Sequence, residues 1–318
     1  MLYWISYSLI LKGSQEAGTT YIMMTPHRNP PIPPLIPLIV GMIAISFAPI
    51  LVRLSDAEVS VQAMYRMLFT VLLMLPFGRK QLKSASSISG KDWALLVLAG
   101  VFLALHFLLW MASLDYTSIA SSTIILALEP VFVMVGAYFL FKDRIRKLAL
   151  FGLIIALVGT CFVSSGDLVL SDTAFTGDLL SFFGTLAVVF NMLIAKRILT
   201  RVPSFVYSIV VFALSAVLFA GYNLASGISF TGYPAKEWLV FLLLAIVPTV
   251  FGHLIFNWLL QYLKTTTVSM SVLAEPVGAS ILGMFIFGEM ITVFQLGGGA
   301  LVIAGLLFYL RSEQRATA

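Results

Sequence analysis

Two glutamates sit where a carboxylate is costly. Glu129 lies in the apolar run Leu126-Ala127-Leu128-Glu129-Pro130-Val131, and Glu275 in Leu273-Ala274-Glu275-Pro276-Val277. Within a membrane span an ionisable side chain marks a functional site by default. The proline after each acid, Pro130 or Pro276, removes one backbone donor and clashes with the carbonyl a turn earlier, at Leu126 or Val272. Such a helix break survives in a bilayer only where protein or a wet cavity shields it. Two chemistries fit the pair. One is a carboxylate that changes protonation or binds a substrate amine. The other is a neutral acid that holds the carbonyls freed by the proline and so packs helices. Both readings stay open on the residues alone.

A second group of polar side chains follows helical spacing. Thr249, His253, Asn257 and Gln261 are each four residues from the next, which puts them on nearly one face of a helix. A stripe of this kind is expected to line water, with Trp258 beside it as an aromatic wall. His106 and Trp110, again four apart, echo it weakly. A histidine inside a span can titrate near neutral pH and accept a coupling proton; its bland alternative is a neutral ring bonded to a facing carbonyl or hydroxyl. Asn191 is a further cavity candidate. Arg66 lies about one and a half turns inside its span. It is expected to snorkel outward to Asp56, Glu58 or Asp115; the other reading turns it into the cavity, where it would attract an anionic group.

The elements that must position these residues are membrane helices. Hydrophobic residues make up 60% of the chain and charged ones 10%, too little polar surface to coat a soluble globule of this size. Strand-like alternation is absent, so a β-barrel is not expected. Ten helices are predicted, near 35–54, 60–78, 92–111, 118–141, 146–164, 177–197, 204–225, 237–261, 267–287 and 292–310. Short connections predict that sequence neighbours are antiparallel neighbours in space. Residues 1–34, with a short apolar stretch and a proline-rich run, read as a tail or as an upstream start artefact, and 311–318 as a cytoplasmic tail.

All Lys and Arg residues except Arg53, Arg66 and Lys236 fall at one set of alternate connections, while Asp56, Glu58, Asp115, Asp167, Asp172 and Glu237 gather at the other. Both termini are therefore expected in the cytoplasm. The net charge of +5 is orientation chemistry, and no nucleic-acid partner is expected. The lone Cys161 falls in a predicted span and has no partner for an internal disulfide.

A shift of 146 positions aligns Leu114 with Leu260, Tyr116 with Tyr262, Glu129-Pro130-Val131 with Glu275-Pro276-Val277, Asp143 with Glu289, Gly152 with Gly298 and Gly159 with Gly305. Matched Tyr, Glu, Pro and Gly in register are not what two unrelated apolar stretches share. The repeat has five spans, an odd number, so its copies, 35–164 and 177–310, are inverted relative to one another, the architecture of secondary transporters. The fold expected is an all-α membrane protein of ten helices in two inverted five-helix repeats.

This doubled pattern resembles the EamA domain of the drug/metabolite transporter superfamily, over roughly residues 35–310. The resemblance implies the ten-helix fold and efflux of small metabolites, amino acids or drugs across a bacterial-type inner membrane. Arg66 also matches a common arginine of that family. Asp143 departs from the family's usual glutamate, which bears on the loop geometry there.

The expectation is thus a secondary transporter, an exporter of amino acids or similar amphipathic solutes by alternating access, with broad drug efflux as the alternative. Protons lead as the coupling ion, because carboxylates and histidines are the titratable groups in the spans. An intramembrane enzyme or a channel is the weaker reading: no metal-ligand spacing, nucleotide loop or ring of one charge is visible, so no metal, cofactor or catalytic residue is expected. Gly152 with Ala156, and Ala300 with Ala304, have the small-xxx-small spacing of close helix packing, between the repeats or across a homodimer.

Overall fold

A computed structural model of the chain describes residues 30–82, 88–143, 145–164, 172–288 and 290–317. Residues 1–29 of the expected tail, Arg144 and Glu289 lie outside them. The described residues are helices and their connections, with no strand among them. Nine helical stretches among them are long and apolar enough to cross a membrane. The remaining span, the fifth, Lys147–Ser164, has 18 residues and reaches about 27 Å at about 1.5 Å per residue.

Four of the ten spans are continuous α-helices of 22 to 27 residues: Val59–Leu82, Gly90–Ser113, Asp172–Ile198 and Ser204–Ala225. The tenth, Val293–Thr317, is also unbroken. Three others are split. The first runs Leu35–Ile45 then Ala48–Leu54, the fourth Ile119–Leu126 then Glu129–Phe141, and the ninth Thr265–Val272 then Glu275–Phe287. Each second half carries a proline in its first turn, where the missing N–H would have had no helical partner.

The eighth span changes register: Ala235–Leu244 is α-helical, Ala245–Leu254 is a π-helix containing Pro248, and Ile255–Leu259 is α-helical again. Proline cannot donate to the carbonyl four residues back. The Thr249 hydroxyl instead donates to the Leu244 carbonyl, 2.8 Å away, and the wider turn absorbs the rest.

The main helix contacts join spans distant in sequence: fifth with tenth, third with sixth, second with seventh, fourth with sixth, third with seventh, and first and second with eighth, with fourth on ninth among the smaller ones. Sequence neighbours touch less, contrary to the expectation from short connections. The physical reason is the duplication. Exchanging each span with its repeat counterpart turns the third–sixth contact into the eighth–first, and leaves the fifth–tenth, second–seventh and fourth–ninth contacts unchanged. The two copies are therefore interlocked about a pseudo-two-fold axis, and each buries its apolar face chiefly against the other.

The fifth and tenth spans show the inversion directly. A Cβ on Gly152 would lie 2.6 Å from the Gly305 carbonyl oxygen, and one on Gly159 2.6 Å from the Gly298 carbonyl oxygen. Rising numbers on one helix meet falling numbers on the other, so two equivalent helices cross antiparallel. On the tenth span the close-packing face is Gly298 and Gly305. The expected pair is offset from it: Ala300 is exposed and Ala304 half-buried, because a face repeating every seven residues from Gly298 passes them by.

The two ends differ in charge. At one end the Lys236 ammonium donates to Asp56 at 2.8 Å, and the Ser55 hydroxyl donates to buried Glu237. At the other, Arg201 donates to Asp92 at 2.6 Å and Lys264 pairs with Glu313 at 2.8 Å. These are called the acidic and the basic end below.

Candidate functional site

Because the fourth and ninth spans break just before their glutamates, Glu129 and Glu275 are each the first residue of a half-helix. That position carries the exposed N–H groups and the positive end of the helix dipole, a favourable setting for a carboxylate. Both side chains are buried, at 3% and 6% exposure. The half-helix ending at Val272 packs on the one beginning at Glu129, so the pseudo-two-fold axis brings both breaks to the middle of the bundle.

They meet at a central pocket of about 60 Å³, room for a few waters. Its polar lining is Arg66, His106, Glu129, Asn191, His253, Asn257 and Glu275. Its apolar walls include Phe107, Trp110, Val188 and Met192. The chain thus gathers into one place residues from the second, third, fourth, sixth, eighth and ninth spans.

Arg66 is fully buried and corrects the snorkelling expectation. Its Nε donates to the Thr249 hydroxyl at 2.7 Å, and its guanidinium lies over the Phe107 ring, 4.3 Å from the centroid. Asp56, Glu58 and Asp115 are not its partners; the acid whose charge acts on it is Glu275. Packing of the second span on the π-helical segment turns the side chain inward, where Thr249 waits for it.

The His106 ring donates from Nδ1 to the Gly184 carbonyl at 3.0 Å and stacks at 13° on Trp110, so Nε2 is the atom left for other chemistry. His253 meets the Phe107 ring edge-on, centroids 5.2 Å apart. Asn191 donates to the Ala99 carbonyl at 2.8 Å and to the Tyr207 hydroxyl at 3.2 Å. Asn257 donates to the Ser208 hydroxyl at 3.1 Å.

Of the stripe on the eighth span, His253 and Asn257 line the pocket and Thr249 lies beneath Arg66. Gln261 lies past the helix end and leans on the Trp258 carbonyl at 3.5 Å, while Trp258 packs on Tyr262. Neither lines the pocket. A face extrapolated at α-helical pitch overshoots once the span ends at Leu259 and the chain turns. Phe107, Val188 and Met192 went unnoticed in the sequence, since an apolar residue in a span carries no mark of facing a cavity. Phe107's place beside His106 was the one available hint.

A cavity of about 920 Å³ opens at the acidic end, lined by Asp56, Glu58, Asp115 and Thr117 among others, and reaches inward to Thr123 and Pro276. A cleft of about 10 Å³ between Thr123, Leu126, Val272, Glu275 and Pro276 lies where this vestibule and the pocket approach. The two helix breaks thus form the constriction between them. At the basic end the Lys196 ammonium donates to the carbonyls of Leu260 and Leu263 at 2.8 and 2.7 Å, and the Tyr309 hydroxyl donates to Thr266 at 2.9 Å, tying the sixth, eighth, ninth and tenth spans together.

Inverted repeats, discontinuous helices and a buried polar pocket at their junction are an architecture that many membrane transporters share. The description of EamA-like transporter family fits residues 33–165 and again 175–311, and the chain belongs to that family. An uncharacterized transporter of Clostridium kluyveri is 22% identical over 256 residues, 78% of this chain and 82% of that one. Another, of Archaeoglobus fulgidus, is 28% identical over 270 residues, 82% of this chain and 91% of its own. A probable amino-acid metabolite efflux pump of Salmonella typhimurium is 26% identical over 195 residues, 58% of this chain and 65% of the pump. A chain of known crystal structure superimposes with a TM-score of 0.76 at 15% identity, over 90% of this chain and 99% of its own, a likeness of fold alone.

Proposed function

We propose that the chain exports small amphipathic metabolites, amino acids or solutes like them, by alternating access around the pocket between Glu129 and Glu275. The observation that carries this reading is the convergence of both half-helix breaks on one buried polar pocket, next to a vestibule open at the acidic end. Rocking one repeat against the other about the fifth–tenth helix contact would shut the vestibule and open the basic end. The excess of Lys and Arg at the basic end supports a cytoplasmic location for it in the cell membrane, with both termini there. The efflux pump among the relatives supports export.

Protons are the coupling ion in this reading, carried by the two glutamates. Glu129→Gln and Glu275→Gln, each alone, are compared in reconstituted vesicles by two assays: counterflow of labelled solute, and flux driven by a pH gradient. Loss of a titrating carboxyl removes the driven flux by roughly tenfold or more in at least one variant, as other single catalytic proton carriers do, and leaves counterflow running. Driven flux unchanged in both variants sinks proton coupling through these acids.

A further inference from the structure

Three residues that line the pocket carry four buried polar atoms without a partner: Nη1 and Nη2 of Arg66, Nε1 of Trp110 and Oε1 of Glu129. All three residues are buried to 97% or more, their exposures being 0%, 3% and 3%. A buried donor or acceptor left unmade costs the full desolvation of that group, and a charged one costs more. An arginine kept for packing would spend its terminal nitrogens on carbonyls or on the acids nearby. This one commits only Nε, to Thr249, and lays its plane against Phe107, so the outer edge of the guanidinium is held rigid and unspent.

The duplication separates architecture from function at this position. The proline breaks and the close-packed glycines occur in both halves, as elements of the scaffold do. Arg66 does not recur: the residue 146 positions on is Phe212, fully buried in the core. The repeat folds without an arginine there.

We propose that Arg66 seats the carboxylate of the transported solute, and that the solute is an amino acid whose ammonium is taken by Oε1 of Glu129. This rests on the reading of the pocket as the transport site, one that widens beyond its present volume of about 60 Å³ when it opens to receive the solute. The guanidinium edge offers two parallel N–H groups, the match for a planar carboxylate, and the Trp110 indole adds a third donor. A phosphate ester is disfavoured, because a dianion would face two carboxyls with one arginine to balance it. A plain amine would leave the guanidinium as it stands.

The test uses the full-length protein in detergent and follows its thermal unfolding with the common L-amino acids, each offered as the free acid and as its carboxamide. Stabilisation by one or more free acids and not by the matching amides is the expected result for the wild-type protein. In Arg66→Lys, which keeps the charge and loses the fork, affinity for those acids falls by roughly ten- to a hundredfold, the worth of a charge-assisted hydrogen bond. Arg66→Gln weakens it further. Amides that bind as well as acids, stabilisation by phosphate esters alone, or no stabilisation by any amino acid overturns the proposal, and the wild-type arm decides it even where a variant fails to fold. Solute release from cells carrying the wild-type protein is measured beside it. Binding without export contradicts the exporter reading and leaves the carboxylate seat standing, whereas export of solutes lacking a carboxylate contradicts the seat and leaves the exporter.

Discussion

At the scale of single residues the site is a meeting of groups that hydrocarbon would not tolerate apart. Arg66 brings a fixed positive charge, Glu129 and Glu275 bring carboxyls at the positive ends of half-helices, and His106 and Asn191 are held by backbone carbonyls. The acids announced themselves in the sequence because a carboxylate between leucines has few uses. Arg66 announced itself less clearly: its partners Thr249 and Phe107 lie on other spans, and a position near a helix end favoured the outward pose. Outside the spans, Asp115 carries a second residue-scale expectation. Burial, and after it the charge of Glu58, hold its carboxyl above the usual aspartate range. A carboxyl raised in the folded state contributes stability below its unfolded pKa and loses it as pH rises through the folded value. Ionised Asp115 therefore works against folding at neutral pH. Asp115→Asn should raise the melting temperature at pH 7, with the gain fading as pH falls below the ordinary aspartate value of about 4; a gain that persists in acid would contradict that cause.

At the scale of elements, sequence and structure agree where one local feature decides the outcome. The Glu-Pro pairs end helices at Leu126 and Val272, where each proline removes a donor and crowds that residue's carbonyl, whereas Pro76 stays inside the unbroken Val59–Leu82. The ten spans were legible for the same reason, as apolar length is a property of a stretch by itself. The π-helical segment was not. Its signal, Pro248 in an otherwise regular span, is shared with simple kinks, and which distortion follows depends on Thr249 reaching the Leu244 carbonyl. Small residues were legible as packing material and misassigned as to face, because Gly298 and Gly305 contact the fifth span only once the repeat symmetry is applied. Their contact carries a prediction. Adding a methyl in Gly159→Ala puts carbon 2.6 Å from the Gly298 carbonyl oxygen and the Val302 nitrogen, backbone that cannot swing aside. Overpacking of this kind costs about 1–3 kcal/mol, so the melting temperature should fall and the purified variant should aggregate sooner on size-exclusion chromatography. An unchanged melting curve would mean that the two helices pack less closely than described.

At the scale of the whole molecule, the duplication explains more than any one residue. Inversion makes the fifth and tenth spans cross antiparallel and pairs the remaining spans across the two copies, and it carries both glutamates to one place. It also supports the alternating access proposed above, in which two equivalent halves would exchange conformations at little energetic difference and open the same pocket to either end. The sequence carried the inversion in the odd number of spans per copy. It could not show how deeply the copies interlock, because that depends on contacts between residues far apart in the chain, 78 positions for His106 and Gly184 and 183 for Arg66 and Thr249. The most direct measurement places a cysteine on the pocket wall. Val188→Cys is made in a Cys161→Ser background, which removes the chain's single native thiol, and is treated in oriented membranes with a membrane-impermeant maleimide added from one face at a time. Alternating access predicts labelling from both faces, with solute slowing each. Labelling from the acidic face alone, at every solute concentration and pH, would contradict it.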